Sequence, residues 1–247
     1  MKKKLNEIKR LYHLGKLYNN SDDYNKTRLL SLLEVNKKPS RTEIINVLTS
    51  KFENCEYLEI GIRNPDDNYR HINASIKTSV DPGLEFAENP ADYKMTSNEY
   101  FKYLEKKNIE RKFDVIFIDG LHKANQVYQD INNSLKYLSK NGFIVLHDCN
   151  PPTEWHAREN YNFHLSPAGK AWNGTTWKAY VYARYQLNVN SCCVNSDWGL
   201  GIISKKPVFT ELQKPNLNPF LDYSFLNENR DELLNLKTFE QFLIELK

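Results

Sequence analysis

A run of apolar, β-favouring residues, Phe113 to Ile118 (FDVIFI), breaks off at Asp119-Gly120-Leu121-His122. Val115, Ile116, Phe117 and Ile118 are too few for a helix and leave no polar face, the pattern of a strand buried on both sides of a parallel sheet. A second such run, Gly142 to Leu146, ends in His147 and Asp148. Between them lies QVYQDINNSLKYLSK, where Val127, Ile131, Leu135 and Leu138 recur at helical spacing and predict one amphipathic crossover helix. The unit reads β-α-β, and in open α/β sheets ligands sit beyond the carboxyl ends of the strands. Two acids and two imidazoles at two such ends therefore mark a site.

With 247 residues, 40% hydrophobic, 26% charged and a formal net charge of +3, the chain is long enough for one domain with small additions. The basic excess includes Lys2, Lys3 and Lys4, and no Lys/Arg block interleaved with aromatics occurs elsewhere, so no nucleic-acid partner is expected. The opening LNEIKRLYHLGKLY is too interrupted by charge for a signal peptide and no span approaches transmembrane length, so the expectation is a cytoplasmic protein without a membrane partner. Cys55, Cys149, Cys192 and Cys193 show neither C-x-x-C spacing nor a disulfide framework, which suits a reducing compartment and argues against structural zinc.

The division expected is a helical N-terminal extension over 1–50, a sheet domain over 51–206 and a loop-and-helix extension over 207–247. In the first, one helix runs around Leu5 to Leu17 and a second over Thr27 to Val35, and Ser40 with Glu43 forms a capping box opening a third. YLEIG at 57–61 reads as a buried strand, Lys77 to Asp81 as the next, Tyr93 to Thr96 as a short third, and Ser97 as the cap of the helix NEYFKYLEKK. After Asp148 comes a long segment rich in proline, aromatics and polar residues, and loops of that length are usually functional. Its Trp155, His156, Tyr161 and Trp172, with Trp177 just beyond, either line an acceptor pocket or pack the loop down. Thr175 to Tyr185 reads as a helix, and Leu187 to Val194 with Gly199 to Ile203 as an antiparallel hairpin.

Glu59-Ile60-Gly61 ends the first strand, and Asp81 ends the next about twenty residues later, the spacing at which a carboxylate accepts both ribose hydroxyls of a nucleoside. The bland alternative is that Glu59 caps local backbone and Asp81 opens a turn with Pro82 and Gly83. The turn Gly61-Ile62-Arg63-Asn64-Pro65 lacks the further glycines that let backbone approach a pyrophosphate, which argues against NAD or FAD. Glu59 instead suits a ligand with a cationic amino group, such as the methionine end of S-adenosylmethionine (SAM).

YLEIG, TSVDPG, FDVIFIDGLH and GFIVLHDCNPP resemble the successive motifs of class I SAM-dependent methyltransferases, particularly the bacterial small-molecule and sugar O-methyltransferase-like group whose fourth motif reads Phe-Ile-Asp-Gly-x-His. The resemblance covers about residues 55–205. It implies an α/β, Rossmann-like, seven-stranded and mostly parallel sheet with the last strand antiparallel. It also implies SAM as cofactor, held by Glu59, Gly61, Arg63, Asp81, Asp119, Gly120 and Leu121, and methyl transfer to an oxygen or nitrogen of a small-molecule or sugar acceptor. Asn64-Pro65 stands where the family carries a second glycine, so the resemblance leaves the path of the methionine-binding loop after Gly61 open.

Methyl transfer from a sulfonium needs alignment and a base for an alcohol or phenol. His122, whose ordinary pKa leaves it substantially neutral at pH 7, ranks first as that base, with His147 and Asp148 as the other catalytic candidates. Some O-methyltransferases add Mg²⁺ held by carboxylates after these two strands. Here Asp119, Asp148 and Asn150 are the weak candidate ligands, Cys149 being a poor one, and Mg²⁺ is not favoured. Asn150-Pro151-Pro152 lacks the aromatic and the position that base-methylating DNA enzymes use. A degenerate SAM-binding module without turnover and, further off, an NAD-dependent oxidoreductase are the alternatives, and homo-oligomerisation stays open.

Overall fold

The structure is a computed structural model and describes residues 2–85, 88–163 and 165–247. Three helices open the chain: α1 (Lys2–Asn19), α2 (Asp22–Val35) and α3 (Arg41–Thr49). Ser21 caps α2 by accepting from the Tyr24 amide, and the Ser40–Glu43 capping box expected from sequence opens α3. The sheet region follows with β1 (Glu56–Ile60), β2 (Ile76–Val80), α4 (Ser97–Lys106), β3 (Phe113–Ile118), α5 (Ala124–Tyr137), β4 (Leu138–Leu146), α6 (Thr176–Gln186), β5 (Asn190–Val194) and β6 (Leu200–Ser204). Short elements close it: α7 (Tyr223–Glu228), α8 (Arg230–Leu234), β7 (Leu236–Lys237) and α9 (Phe239–Glu245).

The seven strands form one sheet in the order β2-β1-β3-β4-β6-β5-β7. β1 to β4 pair in parallel, and β6 runs antiparallel to both of its neighbours. The expected architecture is therefore present, with the antiparallel strand as the last of the central nucleotide-fold order and the two-residue β7 added at the edge by the C-terminal segment. Alternation along the strands splits the core into two layers. Leu58, Ile60, Ile116, Ile118, Ile144 and Leu146 face α4, α5 and α6, whereas Tyr57, Val115, Phe117, Phe143 and Val145 face α3 and α9. Helix α3 buries Ile44, Ile45 and Leu48 completely, while no residue of α1 is buried. No described helix is long and apolar enough to cross a membrane.

Three local expectations are corrected. Tyr93 to Thr96 is not a strand: only a single parallel bridge, Val80 to Tyr93, forms there. Thr96 is already committed as the cap of α4 through a capping box with Glu99, so nothing is left to pair. That same bond makes Thr96, not Ser97, the cap. Leu138, read as part of the crossover helix, is the first residue of β4, and it pairs with Phe113 next to an irregularity in the ladder.

Candidate functional site

The strands of the parallel half end together, and their ends carry the titratable groups. Asp119 follows β3, His147 and Asp148 follow β4, and Asp197 reaches over from the turn between β5 and β6. His147 shares the alternation of Phe143 and Val145, which directs it to the α3 layer, where Arg41 begins that helix. Its Nδ1 lies 3.2 Å from Asp119 Oδ1 and 3.3 Å from Asp148 Oδ2, and its Nε2 lies 3.1 Å from Asp197 Oδ1. The Arg41 amide donates to Asp197 Oδ2 at 2.6 Å, and its guanidinium sits 3.7 Å from Oδ1. Burial alone would lower the His147 pKa, but Asp148 and Asp119 outweigh it and hold the imidazole well above its ordinary value. Both ring nitrogens lie against carboxylates and the side chain is only 8% exposed, so His147 is a buried cross-link between the acids.

His122 sits differently. Its Nδ1 is 2.9 Å from the Trp172 carbonyl, which can only accept, so Nδ1 carries the proton of the neutral ring. The same nitrogen is 3.1 Å from Asp148 Oδ2, and Nε2 faces Asp119 Oδ1 at 3.3 Å. Burial would lower its pKa, yet Asp148 and Asp119 push it up to about 9. This corrects the expectation of an unperturbed histidine: at neutral pH the imidazole is mostly protonated. Asp119 is held well below the usual carboxylate range because the His147 charge and hydrogen bonds from both histidines overcome its burial. Asp197 is brought down to about 2 against its burial, chiefly by His147 and the Arg41 amide.

Asp148 adopts a left-handed backbone, φ 62°, in which its Oδ1 accepts from the buried Asn173 amide at 2.8 Å. Single left-handed residues of this kind persist where the surroundings over-determine them. Gly174, beside Asn173, also has positive φ, and a Cβ there would lie 2.2 Å from the His122 carbonyl. The long segment after β4 is thus pressed directly onto His122, whose ring stacks on Trp172 with centroids 5.2 Å apart, and Tyr161 touches Trp172 from outside. Of the aromatics expected around a pocket, Trp172 and Tyr161 stand near His122. Trp177 is core, and His156 is fully buried between Ser31 and Thr153.

On the cofactor side, Gly61 has φ 90°, and a Cβ there would meet the Asp119 carbonyl at 2.4 Å, so only glycine lets β1 end against β3. Gly120 has room for a Cβ. Glu59 is buried, and both of its protein bonds, from Tyr57 Oη and Asn68 Nδ2, fall on Oε2. Oε1 has no protein donor among the described residues. Burial pushes this carboxyl up to about 7 despite those bonds. Asp81 accepts from the Gly83 amide at 2.6 Å and the Arg63 amide at 3.3 Å, which fixes it at the tip of β2 and realises the turn that the sequence also allowed. Arg63 turns its guanidinium to Asp67, and Leu121 is half exposed.

Asp119, His122 and Asp148 offer three ligand atoms within 4.8 Å of one another, so they could hold a metal ion. Asn150 is drawn elsewhere: its amide donates to Asn195, and its oxygen accepts from Arg230. A cavity of about 630 Å³ between α4 and α5 is lined by none of these residues. Sequence reasoning missed Arg41, Asn173 and Asp197, which reach the strand ends from distant segments. A cation in the first turn of α3, where the helix dipole disfavours it, was the one available signal for Arg41.

Residues 27–149 match the family model described as a methyltransferase domain. No curated protein matches the chain in sequence. Among solved structures, an O-methyltransferase from Bacillus cereus in complex with SAH is 14% identical, covering 74% of this chain and 90% of its own, with a TM-score of 0.44. The SAH-bound methyltransferase PaMTH1 of Podospora anserina is 15% identical over 80% and 96% of the two chains, with a TM-score of 0.45. The O-methyltransferase TomG of Streptomyces achromogenes, involved in tomaymycin synthesis and solved with SAM, is 12% identical over 78% and 94%, with a TM-score of 0.46. At that distance none of them carries a substrate or a residue's role to this chain. The matched segment, which runs from α2 to Cys149 at the end of β4, and the sheet with its single antiparallel strand together make this chain a member of the class I SAM-dependent methyltransferases.

Proposed function

We propose that this chain transfers the methyl group of SAM to a hydroxyl of a small-molecule or sugar acceptor, with His122 taking the acceptor's proton. The observation that carries the reading is the adjacency of two half-sites: Glu59, Gly61 and Asp81 at the ends of β1 and β2, and Asp119, His122 and Asp148 at the ends of β3 and β4. The free Oε1 of Glu59 suits the cationic amino group of SAM, Asp81 suits its ribose, and Gly61 lets the end of β1 close against Asp119 so that the two half-sites adjoin. When bound, SAM supplies an electrophilic sulfonium methyl. The chain's own task is to align the acceptor oxygen and remove its proton.

His122 is suited to that task in its neutral form, because Nδ1–H is fixed by Trp172 and Asp148 and leaves Nε2 as the acceptor. Asp119 and Asp148 then stabilise the imidazolium that forms. Trp172 and Tyr161 offer an aromatic wall on which a sugar or ring would stack. The charge of the cluster supports chemistry without a metal: Asp119, Asp148 and Asp197 are balanced by Arg41 and two imidazolium rings. A divalent ion would have to displace those protons.

A panel of phenolic and sugar acceptors with SAM tests the reading. With an acceptor in hand, turnover should survive EDTA; loss on chelation that Mg²⁺ restores would move the activation of the hydroxyl from His122 to a metal on the same residues. Binding of SAM without turnover by any acceptor would favour the degenerate module.

A further inference from the structure

Helices α1 and α2 are built the wrong way round for a chain that stands alone. A surface helix normally buries its apolar stripe and exposes its polar one. Helix α2 instead buries Thr27 and Glu34 and points Ser31 at His156 in the loop after β4, while Leu29, Leu32 and Leu33, at i, i+3 and i+4, face outward. Helix α1 leaves Leu5, Ile8, Leu11 and Tyr12 exposed, and its described contact with the loop is a bond from Tyr18 Oη to the Leu165 carbonyl. It is an arm about 27 Å long at 1.5 Å per residue.

We propose that this surface is covered by a second copy of the chain, α1 of each protomer lying along α2 of its partner about a two-fold axis. The area matches. Six large apolar side chains of α1 and four of α2 stand 51–73% exposed. Together they offer roughly 350–700 Å² of apolar surface per copy. Two copies give about 700–1,400 Å², against the apolar share, about 60%, of a standard interface of ~1,200–2,000 Å². The charges choose the register. Helix α1 carries six Lys/Arg (Lys2, Lys3, Lys4, Lys9, Arg10, Lys16) against Glu7 alone, a balance of +5, so two α1 helices repel one another. With Glu34 buried and paired to Lys37, the exposed charges of α2 are Asp22 and Asp23 against Lys26 and Arg28, a balance of zero with both acids in the first turn, so α2 does not repel the partner's α1 as a second α1 would and offers it two carboxylates. The exposed Asp22 and Asp23 disfavour seating α2 on an anionic bilayer, for which α1 by itself would be suited. Because the inner face of α2 holds the loop that stacks Trp172 on His122, the partner would brace the acceptor side of each site.

Sedimentation velocity of the full chain from about 1 to about 100 µM tests this, since a micromolar interface dissociates across that range. The expected result is a reversible dimer whose dissociation constant rises at least about a hundred-fold in Leu29→Glu/Leu33→Glu and, independently, in Ile8→Glu/Leu11→Glu, each with wild-type circular dichroism. A monomer at every concentration, or a dimer indifferent to both double variants, overturns the proposal. So does a monomeric chain that co-sediments with phosphatidylglycerol vesicles, which would assign the surface to a bilayer. Should a variant misfold, the wild-type dilution series decides alone.

Discussion

His122 is gripped on every side: Trp172 stacks on its ring and receives its Nδ1 proton, Asp148 lies beside that nitrogen, and Asp119 faces Nε2. An imidazole held this way, proposed above as the base, is mostly protonated at neutral pH, its pKa standing at about 9. The turnover rate should therefore rise with pH and level off near 9, a profile that a histidine of ordinary pKa would not give. His122→Ala should lower turnover by roughly a hundred-fold to ten-thousand-fold, the usual contribution of a positioned base, and change SAM affinity only a few-fold. His147→Ala removes the link between Asp119 and Asp197, so its loss should appear in stability as well as in rate. A silent His122 variant beside a dead His147 variant would exchange the two roles. Asp119, His122, His147 and Asp148 were legible in the sequence because each follows its strand within a few residues. Arg41, Asn173 and Asp197 were not, because their neighbourhood is made by folding: a helix start, a loop and a hairpin turn all close over the same strand ends.

Helix α2 and the loop after β4 are joined through His156, which is fully buried. Ser31 Oγ donates to the Thr27 carbonyl and so accepts from His156 Nε2, 2.9 Å away, while Thr153 Oγ1 lies 2.8 Å from Nδ1. A neutral ring satisfies this chain of bonds, and burial, with Arg158 nearby, lowers its pKa to about 4. Ser31→Ala would leave Nε2–H buried without a partner, at a cost of about 1–3 kcal/mol in chemical denaturation. An unchanged midpoint would show that the loop is held by other contacts. The strong strands, the crossover helix and the Ser40–Glu43 capping box were legible because each rests on local periodicity or a local bond. Tyr93 to Thr96 misled because capping bonds outcompeted strand pairing, and Leu138 because an apolar residue at helical spacing can also open a strand. The outward stripes of α1 and α2 were invisible in sequence, since an apolar repeat does not say which face meets the domain.

Two titrations of opposite sign bound the stability of the molecule. His122 binds its proton more tightly folded, at about 9, than unfolded, at 6.5, so its contribution is complete below pH 6.5 and is lost as pH rises through 9. His156 binds its proton more weakly folded, at about 4, so its contribution is present above pH 6.5 and is lost as pH falls towards 4. Thermal unfolding followed against pH should peak near neutrality and fall on both flanks, and His156→Gln should flatten the acid flank selectively. An acid flank unchanged in that variant would place the acid-sensitive group elsewhere.

Isothermal titration calorimetry of the full chain with SAM and NAD, in the wild type and in Asp81→Ala, decides whether the ends of β1 and β2 hold SAM. Saturable SAM binding, no NAD binding, and a roughly ten-fold to hundred-fold loss of SAM affinity in Asp81→Ala are expected, the worth of about 1.5–3 kcal/mol for hydrogen bonds to a charged group. SAM binding equally tight in both proteins, or NAD bound in place of SAM, would contradict SAM binding at those strand ends.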